Sequence, residues 1–96
     1  MDGISLLVEV RLLEGGSTRA LADVTFRLLS GEELTVLGFR VVRKEGEAAW
    51  VAFPTSGYPK DGKFVTKPVL EMRRSLKKQV VEAVLAEFEK KVAERA

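Results

Sequence analysis

The chain has 96 residues, of which 46% are hydrophobic and 31% are charged, and its formal net charge is +2. This length allows one hydrophobic core, and the composition is that of a globular domain rather than a disordered segment. Cysteine and histidine are both absent, which excludes disulfides, thiolate chemistry, Cys/His zinc sites and histidine-based catalysis.

The N-terminus and the hydropathy pattern predict a cytoplasmic protein. Residues 1–4 contain neither the basic segment nor the long apolar stretch of a signal peptide. The apolar stretches elsewhere are much shorter than the about 20 residues that a membrane helix needs. We expect no contact with membranes. Because so small a domain buries a limited share of its surface, we expect dimerisation to add stability.

The first half of the chain has the pattern of an antiparallel meander. Three segments alternate between apolar and polar residues as β-strands do, residues 4–13, 19–29 and 34–43, and a fourth predicted strand covers residues 48–53. A short glycine-containing turn separates each segment from the next. Strands joined by such short turns are neighbours in a sheet. The fourth is apolar on both faces, which predicts a central position.

Strict alternation divides the third predicted strand into two faces. One face contains Leu37, Phe39 and Val41, and the other contains Val36, Arg40 and Val42. Arg40 is expected to face solvent or to pair across the sheet. Trp50, in the fourth strand, is expected in the core or in a dimer interface.

The second half begins with a predicted loop and ends with a predicted helix. Pro54 cannot donate to a strand ladder, and residues 54–63 are rich in Pro, Gly, Ser and Lys, so we predict a loop there and a short edge strand over 64–66. Beyond Pro68, apolar residues recur at helical spacing: Leu76, Val80, Ala83, Val84, Phe88 and Val92.

These elements together predict an α+β fold. A four- to five-stranded antiparallel meander sheet and a basic loop occupy residues 1–67, and one long C-terminal helix, packed on the sheet, occupies residues 68–96. We expect a single domain that forms a dimer.

Basic residues are concentrated between residues 57 and 78. This segment has a net charge of +5, whereas the rest of the chain sums to −3. Its basic residues are Lys60, Lys63, Lys67, Arg73, Arg74, Lys77 and Lys78. The last four are predicted on one side of the first helical turns, where the helix macrodipole and mutual repulsion cost about 1 kcal/mol. A bound phosphate backbone would reverse that cost, but a solvated face whose Lys and Arg stems cover apolar surface has the same pattern.

Two aromatic residues lie among the loop lysines. Tyr58, between Gly57 and Pro59, is expected to be exposed and suits stacking on an unpaired base. Phe64 is expected to be a core anchor.

Catalysis is not expected. Ser56, Tyr58, Lys60 and Asp61 are close in sequence, and Ser–Lys or Tyr–Lys pairs are capable of chemistry. Such chemistry needs a preorganised pocket with an oxyanion donor. The sequence has neither a phosphate-binding glycine motif nor a carboxylate cluster suited to a metal. We expect no catalytic residues, no metal ligands, no cofactor and no small-molecule substrate.

Short motifs follow one another in a consistent order over residues 8–88. They are VRL at 10–12, ALADVTF at 20–26, FRVV at 39–42, WVAFP at 50–54, DGKF at 61–64, Pro68, Arg73 or Arg74, and AVL at 83–85 ahead of Phe88. Their order resembles that in the SpoVG family, small bacterial proteins associated with sporulation and septation. The resemblance implies an α+β fold, a homodimer, and sequence-influenced binding to DNA and, in some members, RNA.

In the family, basic residues after the VAFP-like strand and around the C-terminal helix are associated with nucleic-acid binding. The corresponding residues of this chain are Lys60, Lys63, Arg73, Arg74, Lys77 and Lys78. The chain departs from the family in the loop, because residues 55–59 precede the first lysine and Val65-Thr66-Lys67 replaces a segment that usually contains acidic and histidine residues. The departure lies where contacts are expected, so two alternatives stay open for this chain: a different target, or weak binding.

The hypothesis that follows is a dimeric nucleic-acid-binding regulator of gene expression that affects septation, cell division or sporulation. Its contacts are predicted to be mostly with phosphates, through the seven basic residues and Tyr58. Two alternatives stay open. One is a protein-interaction module that docks a partner at a sheet edge or near Trp50, and the other is an enzyme that uses residues 56–61.

Overall fold

The computed structural model describes residues 4–95, and the predictions for residues 1–3 and for Ala96 lie outside this range. The elements in chain order are β1 (Ile4–Leu12), β2 (Thr18–Leu28), β3 (Glu33–Val42), β4 (Trp50–Ala52), β5 (Thr55–Lys60), β6 (Lys63–Pro68) and α1 (Arg74–Arg95). Strands β1 to β4 form one antiparallel sheet in chain order, and β5 pairs with β6 in a second, smaller sheet. The α+β class and the four-stranded meander are therefore confirmed.

The core lies between α1 and one face of the four-stranded sheet. Val80, Val84 and Phe88 recur at helical spacing and are buried. They pack against the alternating apolar residues of the strands, including Val24 and Phe39. The predicted apolar stripe of the helix is confirmed, because burying it on the sheet removes both apolar surfaces from water.

A β-bulge at Gly38 changes the faces of β3. The β2–β3 register shifts between the pairs Ala22↔Phe39 and Val24↔Val36, and Gly38 has a positive φ of 94°. The extra residue reverses the alternation. Val36 therefore packs against the core, whereas Leu37 is 65% exposed. The strict alternation that placed Leu37 with Phe39 was wrong for this reason.

Strand β4 lies at the edge of the sheet, so the prediction of a central strand was wrong. Its three residues pair with β3 on one side. Val51 and Ala52 are buried, but Trp50 is 52% exposed, so Trp50 is not part of the core. Arg40 is exposed on the same face of the sheet as Trp50.

The helix begins at Arg74, later than the predicted start at residue 68. The carbonyl of Arg73 accepts a hydrogen bond from the backbone N–H of Lys77 at 2.9 Å, the first bond of helical type. Before it, Leu70 and Met72 pack against the core from a non-helical connection. No helix within residues 4–95 is long and apolar enough to cross a membrane.

Candidate nucleic-acid interface

Residues 55–68 form a β-hairpin, which we call the arm. Strands β5 and β6 are joined by Asp61 and Gly62, whose φ angles are 52° and 76°. Positive φ at both central residues is what a two-residue type I′ hairpin turn requires, and Asp-Gly is among its preferred sequences. The prediction of a loop over 54–63 was wrong. It followed from the Pro and Gly content of the segment, whereas the Asp-Gly turn brings residues 55–60 into a hairpin.

The pairing of the arm gives it two chemically different faces. Residues directly opposite each other in an antiparallel pair share a face, and successive pairs alternate. The pairs Ser56↔Lys67, Tyr58↔Val65 and Lys60↔Lys63 therefore lie on one side, which we call the basic face. The opposite side has the pairs Gly57↔Thr66 and Pro59↔Phe64 and carries no charge. All three lysines of the arm and its tyrosine thus share one face.

Tyr58 is exposed over 41% of its surface, as predicted. The Nζ atom of Lys67 lies 6.0 Å from the centre of its ring, a cation–π distance at which Lys67 restrains the ring. Towards the tip, Lys60 and Lys63 lie directly opposite each other. Like charges in this arrangement repel, so the tip has a concentrated positive charge that only the Asp61 carboxylate of the turn offsets.

Phe64 was predicted to anchor the core, and this prediction was wrong. The side chain is 71% exposed and lies across Gly57 on the uncharged face, where a Cβ built on Gly57 would overlap the ring. An aromatic ring over a strand glycine covers backbone that has no side chain of its own. Phe64 therefore stabilises the arm locally rather than attaching it to the core.

The arm extends away from the rest of the protein. Among the described residues, neither β5 nor β6 packs against the four-stranded sheet or α1. The radius of gyration is 14.8 Å, compared with the about 12.5 Å expected of a compact domain of this length. The base of the arm is closed by a 3.4 Å hydrogen bond from the N–H of Val69 to the carbonyl of Pro54. Both faces are consequently accessible to a large partner.

The second group of predicted residues lies at the start of α1. Arg74, Lys77 and Lys78 are in its first turns, whereas Arg73 directly precedes it, and all four are exposed. The first turn contains no acidic residue. Lys78 approaches Glu82 at 4.0 Å, a distance at which an exposed pair contributes little. The positive charge at this helix end is therefore largely uncompensated.

A cleft of about 390 Å³ lies between the base of the arm and the start of α1. Its lining consists of Phe53, Pro68, Leu70, Glu71, Met72 and Lys77. The Nζ atom of Lys77 lies 5.3 Å from the centre of the Phe53 ring, so Phe53 helps to position this lysine. Phe53 was not among the predicted site residues. Its position after the fourth strand, next to the basic segment, was the feature of the sequence that indicated a place in the site.

The four residues weighed for catalysis do not form an enclosed site. Ser56, Tyr58 and Lys60 share the basic face, and Asp61 lies in the turn. All four are exposed, so no described residues shield them from water as a reaction centre of this kind would require.

Comparison of the chain with protein-family models, with curated proteins and with solved structures gives no match. The candidate interface therefore rests on the geometry and charge of the described residues.

Proposed function

We propose that the chain is a dimeric, non-catalytic nucleic-acid-binding protein of the SpoVG type, a cytoplasmic regulator of gene expression that affects septation, cell division or sporulation. The observation that carries the proposal is the basic face of the arm, where Lys60, Lys63 and Lys67 lie on one side together with Tyr58. The sequence resemblance associates this part of the chain with nucleic acid.

The electrostatics of the arm favour a polyanion as its partner. Lys60 and Lys63 repel each other in the free protein. A phosphate placed between them would attract both and release the counterions that surround the nucleic acid. The cations at the start of α1 would attract a phosphate in the same way, and the N-terminal end of the helix adds to this attraction. Only the connection over residues 69–73 separates the arm from the start of the helix, so both can bind the same strand.

The two-stranded architecture of the arm suits duplex DNA, since the major groove admits a two-stranded β-ribbon. Tyr58 adds a ring that can stack on an unpaired base, as single-stranded RNA or DNA offers. Most contacts in either mode go to phosphates, because lysine side chains dominate the basic face. We therefore propose modest affinity and limited base specificity.

A protein-interaction module is the second candidate function. The face of the sheet opposite α1, which we call the outer face, exposes Leu7, Leu37 and Trp50. Exposed apolar residues of this kind are typical of protein contacts. In the proposed dimer this face is a candidate for the subunit interface. In the alternative it docks a different protein, and the arm binds no nucleic acid.

The test is fluorescence-anisotropy binding to random duplex DNA and to single-stranded RNA between about 50 and 200 mM salt. Three triple variants each remove three positive charges: Lys60→Gln/Lys63→Gln/Lys67→Gln in the arm, Arg73→Gln/Arg74→Gln/Lys77→Gln at the helix start, and Lys44→Gln/Lys90→Gln/Lys91→Gln as the matched control away from both. We expect native binding to weaken about 10³-fold or more over this range if six or more phosphates are neutralised.

The arm variant is expected to reduce the slope of log affinity against log salt by about 0.9 for each phosphate that its side chains no longer neutralise. The control variant has the same net charge as the arm variant and is expected to keep most of the native slope. Equal reductions in all three variants would mean attraction by net charge alone. No binding to either polymer at the lowest salt would reject the nucleic-acid role and favour the protein-interaction module.

A further inference from the structure

A second cleft, of about 330 Å³, lies at the opposite end of α1 from the arm. It is lined by Leu12, Leu13, Arg19, Arg43, Phe88, Val92 and Arg95. The volume is within the range of small-molecule sites. Its lining combines apolar side chains with three guanidinium groups. None of these residues belongs to the candidate nucleic-acid interface.

Arg19 lines this cleft because of a bulge in β2. The register of β2 on β3 shifts between Thr18↔Val42 and Ala20↔Val41, which leaves Arg19 as the extra residue. Regular alternation would place Arg19 on the outer face with Leu21, whereas a bulge redirects the side chain. Its Nε donates a hydrogen bond of 3.1 Å to the carbonyl of Arg43. That bond holds the guanidinium beside the cleft and leaves its terminal N–H groups for another acceptor.

Arg43 follows the last residue of β3, and its guanidinium carbon lies 5.9 Å from the centre of the Phe88 ring. Phe88 is itself buried in the core. Arg19 and Arg43 are both half-buried, and within residues 4–95 no carboxylate lies within ion-pair distance of either. Partial removal of a charged group from water favours pairing with an anion, so an anion from solution would be a favourable partner for this pair.

The rim of the cleft is formed by an ion pair. Arg95, in the last turn of α1, donates to Oε1 of Glu14 at 2.6 Å. Glu14 thereby neutralises the third arginine. The unneutralised charge in the cleft therefore belongs to Arg19 and Arg43, next to the apolar surface of Leu12, Leu13 and Val92.

We propose that this cleft binds a small amphipathic anion, a carboxylate on an aliphatic or aromatic body. The planar guanidinium groups of Arg19 and Arg43 would receive the carboxylate through parallel N–H···O bonds. The apolar body would lie against Leu13 and Val92, the exposed apolar side chains of the lining, and remove their surface from water. A bare oxyanion would leave this apolar lining unused, and an uncharged apolar molecule would leave the two cations without a partner. The ligand class follows from both halves of the cleft.

The experiment is an NMR titration of ¹⁵N-labelled protein with octanoate, with octan-1-ol and inorganic phosphate as separate probes. We expect octanoate to shift the amide signals of residues around the cleft, such as Leu13 and Val92, and to leave the arm signals unchanged. Octan-1-ol and phosphate are each expected to bind about tenfold more weakly or worse, because each lacks one half of the interaction. Equal affinity for octanoate and octan-1-ol, or for octanoate and phosphate, would overturn the proposal.

Variants test the role of Arg43 directly. Arg43→Gln is expected to weaken octanoate binding about tenfold, and Arg43→Lys less, because lysine keeps the charge but loses the planar fork. Arg11→Gln is the matched control, since Arg11 pairs with Asp23 on the outer face at 3.5 Å. Native affinity in Arg43→Gln, or equal weakening in Arg43→Gln and Arg11→Gln, would contradict the assignment. Nucleic acid is absent throughout, so the result does not depend on the function proposed for the arm.

Discussion

Phe39 and Phe64 show how one residue type serves two unrelated purposes in this chain. Phe39 has no exposed surface and meets the Phe53 ring edge-on, with centroids 5.1 Å apart and planes inclined at 70°. Aromatic pairs favour this geometry. Phe64 lies on the arm across Gly57 and remains largely in water. The contribution of each ring to stability therefore depends on its surroundings rather than on its size.

We predict that Phe39→Ala lowers the free energy of unfolding by about 3–5 kcal/mol, because it leaves a cavity in the core. Phe64→Ala, the matched change on the arm, is expected to cost about 0.5 kcal/mol or less. Urea denaturation followed by circular dichroism measures both. Similar destabilisation in the two variants would mean that the arm packs on the core in solution.

Asp61 combines two properties at the tip of the arm. Its φ is positive, which aspartate and asparagine tolerate better than most residues. Its carboxylate is also the only negative charge between Lys60 and Lys63. The residue therefore favours the hairpin turn while it opposes the binding of a polyanion.

We predict that Asp61→Asn keeps the turn and tightens nucleic-acid binding about two- to fivefold at low salt, since an exposed charge near a phosphate contributes less than about 1 kcal/mol. Glu45→Gln is the control, because it makes the same charge change at an exposed position in the turn between β3 and β4. Anisotropy titrations compare the two. An equal gain in both variants would show that net charge, rather than the position of Asp61 at the tip, determines the effect.

At the scale of the elements, the bulge in β3 decides which residues enter the core. Gly38 has a φ of 94° and, if it carried a Cβ, would meet only the Pro54 ring at ordinary contact distance. Space is therefore available, and the backbone conformation is what requires glycine. The bulge lets Val36 and Phe39 face α1 from the same strand although their spacing is odd.

Gly38→Ala is expected to destabilise the protein by about 1–2 kcal/mol, because an L side chain is strained at this φ. Lys44→Ala, at an exposed position in the turn that follows β3, is expected to stay within about 0.5 kcal/mol of the native value. Thermal or urea unfolding separates the two outcomes. A neutral Gly38→Ala variant would indicate that the bulge relaxes to a regular register.

At the scale of the whole molecule, the helix covers one face of the sheet, and nothing within residues 4–95 covers the other. The outer face mixes the exposed apolar residues Leu7, Leu37 and Trp50 with charged ones. Specific protein interfaces have this composition of aromatic anchors within a polar surround. The arm lies outside both layers, so a dimer through the outer face would present two arms to one nucleic acid.

Trp50 is the only tryptophan in the chain, and its emission reports on the outer face. If the dimer forms there, dilution is expected to shift the emission to longer wavelength as Trp50 becomes more exposed. Trp50→Lys is expected to give a monomer in sedimentation equilibrium, while Lys90→Gln serves as a control on α1. A dimer whose formation leaves the emission unchanged, and which survives Trp50→Lys, would show that the interface lies away from the outer face.

The sequence by itself determined the elements whose patterns are local. The first two predicted strands depend on alternation between neighbouring residues over 4–13 and 19–29. The predicted helix depends on spacing within a few residues from Val80 to Phe88. These patterns predicted the meander, the helix and its buried stripe. The clustering of cations in 57–78 likewise follows from residue order alone, so the candidate residues were identifiable before their arrangement was.

Only the tertiary structure decided how those residues are arranged. The positive φ of Gly38 moves Leu37 out of the core, and pairing across the Asp61-Gly62 turn brings Lys67 to the same face as Lys60. The bulge at Arg19 places that side chain beside Arg43 in the second cleft. Each outcome depends on the register between two paired strands. Because a shift of one residue reverses the faces of a strand, composition and spacing do not determine them.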